Sequence, residues 1–375
     1  MVSKLTVRLI AAASSLALLA NGNPKPSHAD EGASDDSGLG RIVSVAGDPK
    51  AFQVAAIDSP IVGSTDIVRR EARGIFEENI RELELRDDVF FNETVETGED
   101  SALRITLLDN TSLTLGPSSR VVLDEFVYDP ASQQGRLVMR LVSGVFRFTS
   151  GLMPKSSYSI GTPAGDIGIR GTVLDLWLFC TGDQESDADI DGLGRLCRLT
   201  IDVEEGSGVV NPGPTETPFD EGQRVEVGFD PDDINVGPIP ANAPILEQVR
   251  VMRQLVLQAA FGLIEEQLPG QSISNADDDQ LSAAVTNLLN RNPALAQPLT
   301  DAVANLAPGR VATVGTSVVT FDPNLADTVA ETITNAATER QVLGLSTTTT
   351  TTQLDPSNFT SDETPPPYNP GDQAQ

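Results

Sequence analysis

Of the side chains that carry most biological chemistry, the 375-residue chain holds one histidine, His28, and two cysteines, Cys180 and Cys197. His28 lies in a stretch that reads as a removed leader, so the mature protein contains no imidazole. Ser-His-Asp and Cys-His catalysis, and nearly every catalytic zinc site, are then excluded. Carboxylates abound instead: 54 Asp plus Glu face 25 Lys plus Arg, a formal charge of −29. A glycosidase needs two acids at a defined separation, and in so acidic a chain no pair stands out. The aspartic-protease triplet Asp36-Ser37-Gly38 occurs without a second copy. No GxxxxGK[ST] phosphate loop and no strand–GxGxxG–helix unit is present. The chain therefore reads as a non-enzyme without a cofactor. So negative a surface repels phosphate backbones, which excludes nucleic acid as a partner.

The two cysteines are expected to pair. Each borders a β-like run, 174–179 and 199–203, and antiparallel pairing of those runs brings the sulfurs together. The bond closes a 16-residue loop, a constraint worth about 3 kcal/mol in the loop-entropy view. Within that loop Asp187, Asp189, Asp191 and Gly192 match the first half of an EF-hand calcium loop. Positions nine and twelve, however, are Arg195 and Arg198, where the motif needs oxygen ligands. The loop reads as a weak calcium candidate and otherwise as a solvated acidic loop; no other metal site is expected. At Gly171-Thr172 a side-chain hydroxyl follows a backbone carbonyl that it could attack, an event that would leave two fragments on a denaturing gel.

The elements that position these groups follow from patterning. Residues 1–29 resemble a signal peptide: Lys4 and Arg8, a 12-residue uncharged run from Leu9 to Ala20, then Ser27-His28-Ala29. Twelve residues cannot span about 30 Å of hydrocarbon, and the missing cysteine at the cleavage point argues against a lipoprotein anchor. No later stretch is long and apolar enough to cross a membrane, so the mature chain is expected to carry no transmembrane segment. The sequence thus predicts export, to the periplasm or the cell surface. After a linker at 30–40, residues 41–230 show short alternating runs punctuated by turns, as in Leu103, Ile105 and Leu107 before Asp109-Asn110. This predicts a mainly β domain of sandwich, roll or solenoid type. Ile67 to Leu83 reads as an exception, a helix or a long loop. A Pro- and Asp-rich linker at 231–244 precedes a helical region at 245–345. Its first helix repeats apolar residues at Ile245, Val249, Met252, Val256, Ala260 and Leu263, and Asp277 to Asp279 cap the next. Pro293, Pro308 and Pro323 then recur every 15 residues, which suggests repeated short helices, the middle one open to a strand reading. Residues 346–375, rich in Thr and Pro, are expected to be disordered.

The middle of the chain carries a resemblance. Val95 to Ala102 and Asp109 to Arg120 look like the opening of a FecR domain. Leu123 to Asp129 and Gly144 to Phe148 follow in order. Thr162-Pro163-Ala164-Gly165-Asp166-Ile167-Gly168-Ile169-Arg170-Gly171-Thr172 resembles the family's most recognisable stretch, and Glu221 to Val227 its closing strand. Arg86 stands where many relatives carry glycine. Founding members of that family are anti-sigma regulators, with a cytoplasmic segment, one membrane helix and this domain in the periplasm. This chain is similar instead to exported, stand-alone FecR-domain proteins of Gram-negative bacteria. The resemblance implies a binding or structural module with an envelope protein or glycan partner, or else a periplasmic sensing component. The motif residues Gly98, Asp109, Gly116, Gly144, Thr162, Pro163, Gly168, Arg170, Gly171 and Thr172 read as architecture. Arg170 would serve an acidic partner or pair with a carboxylate of its own domain.

Overall fold

Residues 59–77, 79–181, 196–213, 216–230, 232–239 and 246–345 are described by the computed structural model. Alternation of apolar and polar residues gives 17 strands among the described residues of the first part of the chain. They are β1 (Ile61–Arg69), β2 (Ala72–Phe76), β3 (Asn79–Glu82), β4 (Asp88–Phe90), β5 (Thr94–Thr97), β6 (Ala102–Leu107) and β7 (Ser112–Leu115). Next come β8 (Arg120–Asp129), β9 (Gln134–Thr149), β10 (Tyr158–Gly161), β11 (Asp166–Ile169), β12 (Val173–Cys180) and β13 (Cys197–Glu205). The last are β14 (Ser207–Asn211), β15 (Thr217–Asp220), β16 (Gln223–Val227) and β17 (Ile234–Pro238).

Hydrogen bonding sorts the strands into two layers that share β9. One layer runs β4-β1-β6-β7-β9-β12-β13-β16-β17. The other runs β3-β2-β5-β8-β9-β10-β11-β14-β15. All pairings are antiparallel except β9 with β10. The first half of β9 belongs to one layer and its second half to the other. The crossing falls at Gly144, whose φ of 114° only glycine adopts readily and where a Cβ would lie 2.3 Å from Ser119 Oγ. Between the layers lies an apolar core that includes Phe146, Phe148, Leu103, Ile105, Met139 and Ile167.

Ile67 to Leu83 is neither helix nor loop but the end of β1, then β2 and β3. Arg70, Glu71, Arg73, Glu77 and Glu82 are exposed, while Ile67, Ala72 and Leu83 are buried; on a strand that is half solvated, charge does not argue against β structure. Arg86 has a φ of 71°, the left-handed conformation that explains glycine at that place in relatives. The Pro- and Asp-rich stretch contains a strand, β17, which extends the first layer.

Five helices follow: α1 (Glu247–Glu266), α2 (Asp278–Arg291), α3 (Ala296–Leu306), α4 (Val311–Phe321) and α5 (Ala326–Val342). Asp277 caps α2 by accepting from the Gln280 amide at 2.8 Å. Pro293, Pro308 and Pro323 each open a single 3-10 turn directly ahead of α3, α4 and α5. The residue before each proline is non-helical, as the pyrrolidine ring demands, and this breaks one helix from the next. The middle copy is therefore helical despite its Val, Thr and Gly. Leu299, Val314 and Val329, equivalent within the 15-residue frame, are all buried in one helical core.

All these residues belong to one unit, and the helices pack on the outward face of the first layer. Val249 and Met252 of α1 lie on Val145, with Trp177 and Leu246 beside them. Contact is close enough that a Cβ at Gly116 would sit 2.9 Å from the Met252 Cβ. Gly116→Ala should accordingly cost about 1–3 kcal/mol in a urea melt. An unchanged midpoint would show that α1 does not bear on this strand.

Candidate functional site

Six strands of the first layer each place a charged or hydroxyl residue at the same level of the outward face. Register aligns them in a single cross-strand row: Arg104 of β6, Thr114 of β7, Arg147 of β9, Asp175 of β12, Asp202 of β13 and Arg224 of β16. Charges directly opposite one another on adjacent strands interact most strongly. Asp175 and Asp202 stand side by side, and an arginine neutralises each from its far side. Arg147 Nη1 holds both Asp175 oxygens at 3.1 and 2.9 Å. Arg224 grips Asp202 in a fork at 2.6 and 2.7 Å.

The helices complete the network. Arg253 of α1 donates to Glu204 at 2.9 Å and to Glu339 of α5 at 2.6 Å, and lies 3.8 Å from Asp175. Arg147 also bonds Glu204. Glu339 is held in place by Asn305 Nδ2 at 3.0 Å. Burial opposes ionisation of Glu204, but Arg147 and Arg253 outweigh it and hold the carboxyl well below the usual range. Burial pushes Asp175 up to about 6 against the pull of the same arginines.

Between the sheet face and helices α1, α3 and α5 lies a cleft of about 660 Å³. Arg104, Thr114, Arg147 and Asp175 form its sheet wall. Gln297, Asp301 and Glu339 line the helical wall, and Glu205 and Glu331 stand exposed at the rim. Asp301 is the anomaly. Among the described residues none offers its carboxylate a hydrogen bond or an ion pair. Burial first, then Glu339, pushes it up to about 6, against Arg104, Arg147 and Arg253. Such a group costs the folded chain stability at neutral pH, and clefts are where proteins keep groups of that kind.

The residues singled out from the sequence lie elsewhere. Gly98, Gly116 and Gly144 converge on a knot in which the Thr97 hydroxyl donates to Gly116 O at 2.6 Å. There the Ser119 amide donates to Thr97 Oγ1, and Ser119 Oγ accepts from the Val145 amide. Asp109 is fully buried and accepts from Thr111 Oγ1 at 2.7 Å and from Tyr158 Oη at 3.0 Å. Burial and Asp109 together drive the Tyr158 phenol up to about 12. The Thr162 hydroxyl donates to Gly165 O at 2.7 Å and shapes the turn holding Pro163, while Gly168 lies in β11 opposite Ser159 and Val209. Arg170 is exposed and, among the described residues, pairs with no carboxylate. Gly171 has a φ of 69°, and the buried Thr172 hydroxyl has no hydrogen-bond partner among the described residues. Cys180 and Cys197 face each other across β12 and β13 and are joined as a disulfide. Asp187, Asp189 and Asp191 lie outside the described residues. No cluster of metal-ligating side chains occurs among the described residues, and no described helix is long and apolar enough to cross a membrane.

None of these motif residues lines the cleft. Sequence reasoning missed Arg104, Arg147, Asp175, Asp202, Glu204, Arg224, Arg253, Asp301 and Glu339. A signal was present in L-R-I, F-R-F, L-D-L and I-D-V, each a lone charge inside an apolar strand.

Asp301 makes a pH-dependent prediction. Its carboxyl ionises less readily in the folded chain than in the unfolded chain, so its contribution to stability falls as pH rises from about 4 to about 6. Asp301→Asn should melt with wild type near pH 4 and be more stable above pH 6.5, by about 1–3 kcal/mol. Equal stability at both pH values would mean that the carboxylate is compensated.

None of the curated proteins matches the chain. Among solved structures it is similar to two crystal structures described as a candidate anti-sigma factor from Parabacteroides distasonis. Identities are 14% and 13%, both with a TM-score of 0.29. The matches span 39% and 43% of this chain, and 59% and 64% of those chains, less than two thirds of their length. Residues 93–190, which include β5 through β12, match the FecR protein family.

Proposed function

We propose that this chain is an exported FecR-type regulatory component of the bacterial envelope that works by binding rather than by catalysis. The observation that carries the reading is the cleft. One wall, with Arg104, Arg147 and Asp175, comes from the segment that matches the FecR family, and the other comes from the chain's own helices. The side chains that seat α1 and α5 on the sheet also line the cleft, so an occupant lies against them. Binding there biases how the helices sit, which is the physical requirement for a reporter. The Cys180–Cys197 disulfide supports an oxidising compartment, in agreement with the leader read at residues 1–29. An envelope protein is the partner to which the helices would report; a glycan in the cleft is the other occupant the family resemblance suggests.

Transcript profiling in the native host tests this. Deleting the gene should shift a small set of envelope-related transcripts by several-fold. Restoring the exported chain should reverse the shift, and a version lacking residues 1–29 should not. Unaltered transcripts together with a weakened envelope would replace regulation with a structural role.

A further inference from the structure

Nearly every charge in the cleft is matched by another protein group. Arg147 and Arg253 share Asp175, Glu204 and Glu339, and Arg224 is taken by Asp202. Apart from Glu205 and Glu331 at the rim, two charges of opposite sign inside the cleft have no close ion-pair partner. Arg104 is largely buried, with a side-chain exposure of 12%. Its Nε donates to Ser112 Oγ at 3.0 Å, and its Nη2 reaches Gln297 Oε1 only at 3.5 Å. Its nearest carboxylate, Asp66, stands 4.0 Å from Nε and is already engaged by Thr106 and by Asn292 Nδ2 at 3.0 Å. Asp301, across the cleft on α3, has no bonded partner among the described residues. The two groups interact electrostatically, yet they form no ion pair with each other.

We propose that the cleft binds a zwitterionic small molecule, an α-amino acid or short peptide, with its carboxylate on Arg104 and its ammonium on Asp301. A planar guanidinium with an open edge matches a carboxylate in fork geometry. A carboxylate that lines the cleft without a hydrogen-bond donor is complemented by an ammonium. A simple anion would satisfy Arg104 but confront Asp301, Asp175 and Glu339. A simple cation would satisfy Asp301 but leave Arg104 unmatched. Only a ligand that carries both charges neutralises both groups. The cleft, at about 660 Å³, falls within the range of about 300–1,000 Å³ typical of small-molecule sites. Ser112, Thr114 and Gln297 offer hydrogen bonds between the two poles, and Leu257 and Pro298 offer apolar contact. Glu205 and Glu331 at the rim repel free anions and admit the ammonium end first.

This inference deepens the binding reading and rests on it. Its test is calorimetric titration of the mature, disulfide-bonded chain at pH 7.5 with alanine, the dipeptide Ala-Ala, propionate and propylamine. At least one zwitterion should bind at least tenfold more tightly than either singly charged probe. Arg104→Gln and Asp301→Asn should each weaken that binding at least tenfold while giving cooperative melts. Propylamine or propionate binding as tightly as the zwitterions would overturn the ligand class and leave cleft binding intact. Absence of heat with all four probes, in protein with a cooperative melt, would also overturn it. The regulatory reading is decided separately by the transcript profile, so the two can fail independently.

Discussion

Arg253 is the side chain on which the arrangement of sheet and helices turns. It leaves α1 to enter a carboxylate cluster drawn from β12, β13 and α5, and its two Nη atoms join elements separated by 49 and 86 residues in the chain. Arg147 answers from the sheet side. Two guanidiniums among Asp175, Glu204 and Glu339 make a network in which no member can be removed without stranding another. Assembling so many charges away from water is costly, and the network persists because its hydrogen bonds are short and nearly complete. Apolar packing contributes as well, through Met252 on Gly116 and Val249 on Val145. That packing fixes how close α1 comes; the charges fix which residues it faces.

This division explains why the sheet face tolerates polar residues beneath a helical cover. A row of Val and Leu under α1, α3 and α5 would have closed the interface. Instead the row Arg104-Thr114-Arg147-Asp175-Asp202-Arg224 keeps the helices at a distance on one side and leaves the cleft. Most of that row is self-compensated and therefore structural. Arg104 is the exception within the row, with Asp66 only at 4.0 Å, and Asp301 of α3 has no bonded partner among the described residues; charges so loosely engaged in a cleft are what a fold offers a ligand. The residues that match the FecR family contribute walls and turns, with Gly98, Gly116 and Gly144 gathered at the Thr97–Ser119 knot, whereas the cleft's own chemistry depends equally on helices outside that segment.

Much of the fold was legible in the sequence. The alternation around Leu103, Ile105 and Leu107, the turn at Asp109-Asn110, the pairing of Cys180 with Cys197 and the prolines at 293, 308 and 323 each act locally, so their consequences could be read locally. Ile67 to Leu83 was not legible, because short strands with one solvated face have too few buried residues to reveal a period of two. The cleft was hidden for a different reason. Period two tells which face a residue occupies, not which strands are neighbours. Placing Arg104 beside Thr114 and Asp175 beside Asp202 needs the register of six strands, and placing Asp301 opposite them needs the helices docked as well. Lone charges within apolar strands were visible, but their common row was not.

The measurement that bears most directly on this account is amide hydrogen exchange of the mature chain, compared between wild type and Arg253→Met. Methionine keeps the apolar stem and removes the charge, which leaves Glu204 and Glu339 without their shared partner at a cost of about 3–5 kcal/mol. Amides of α1 and α5 should then exchange at least a hundredfold faster, while β6, β9 and β12 retain their protection. Unchanged protection in both helices would contradict the claim that this arginine holds the helical layer on the sheet.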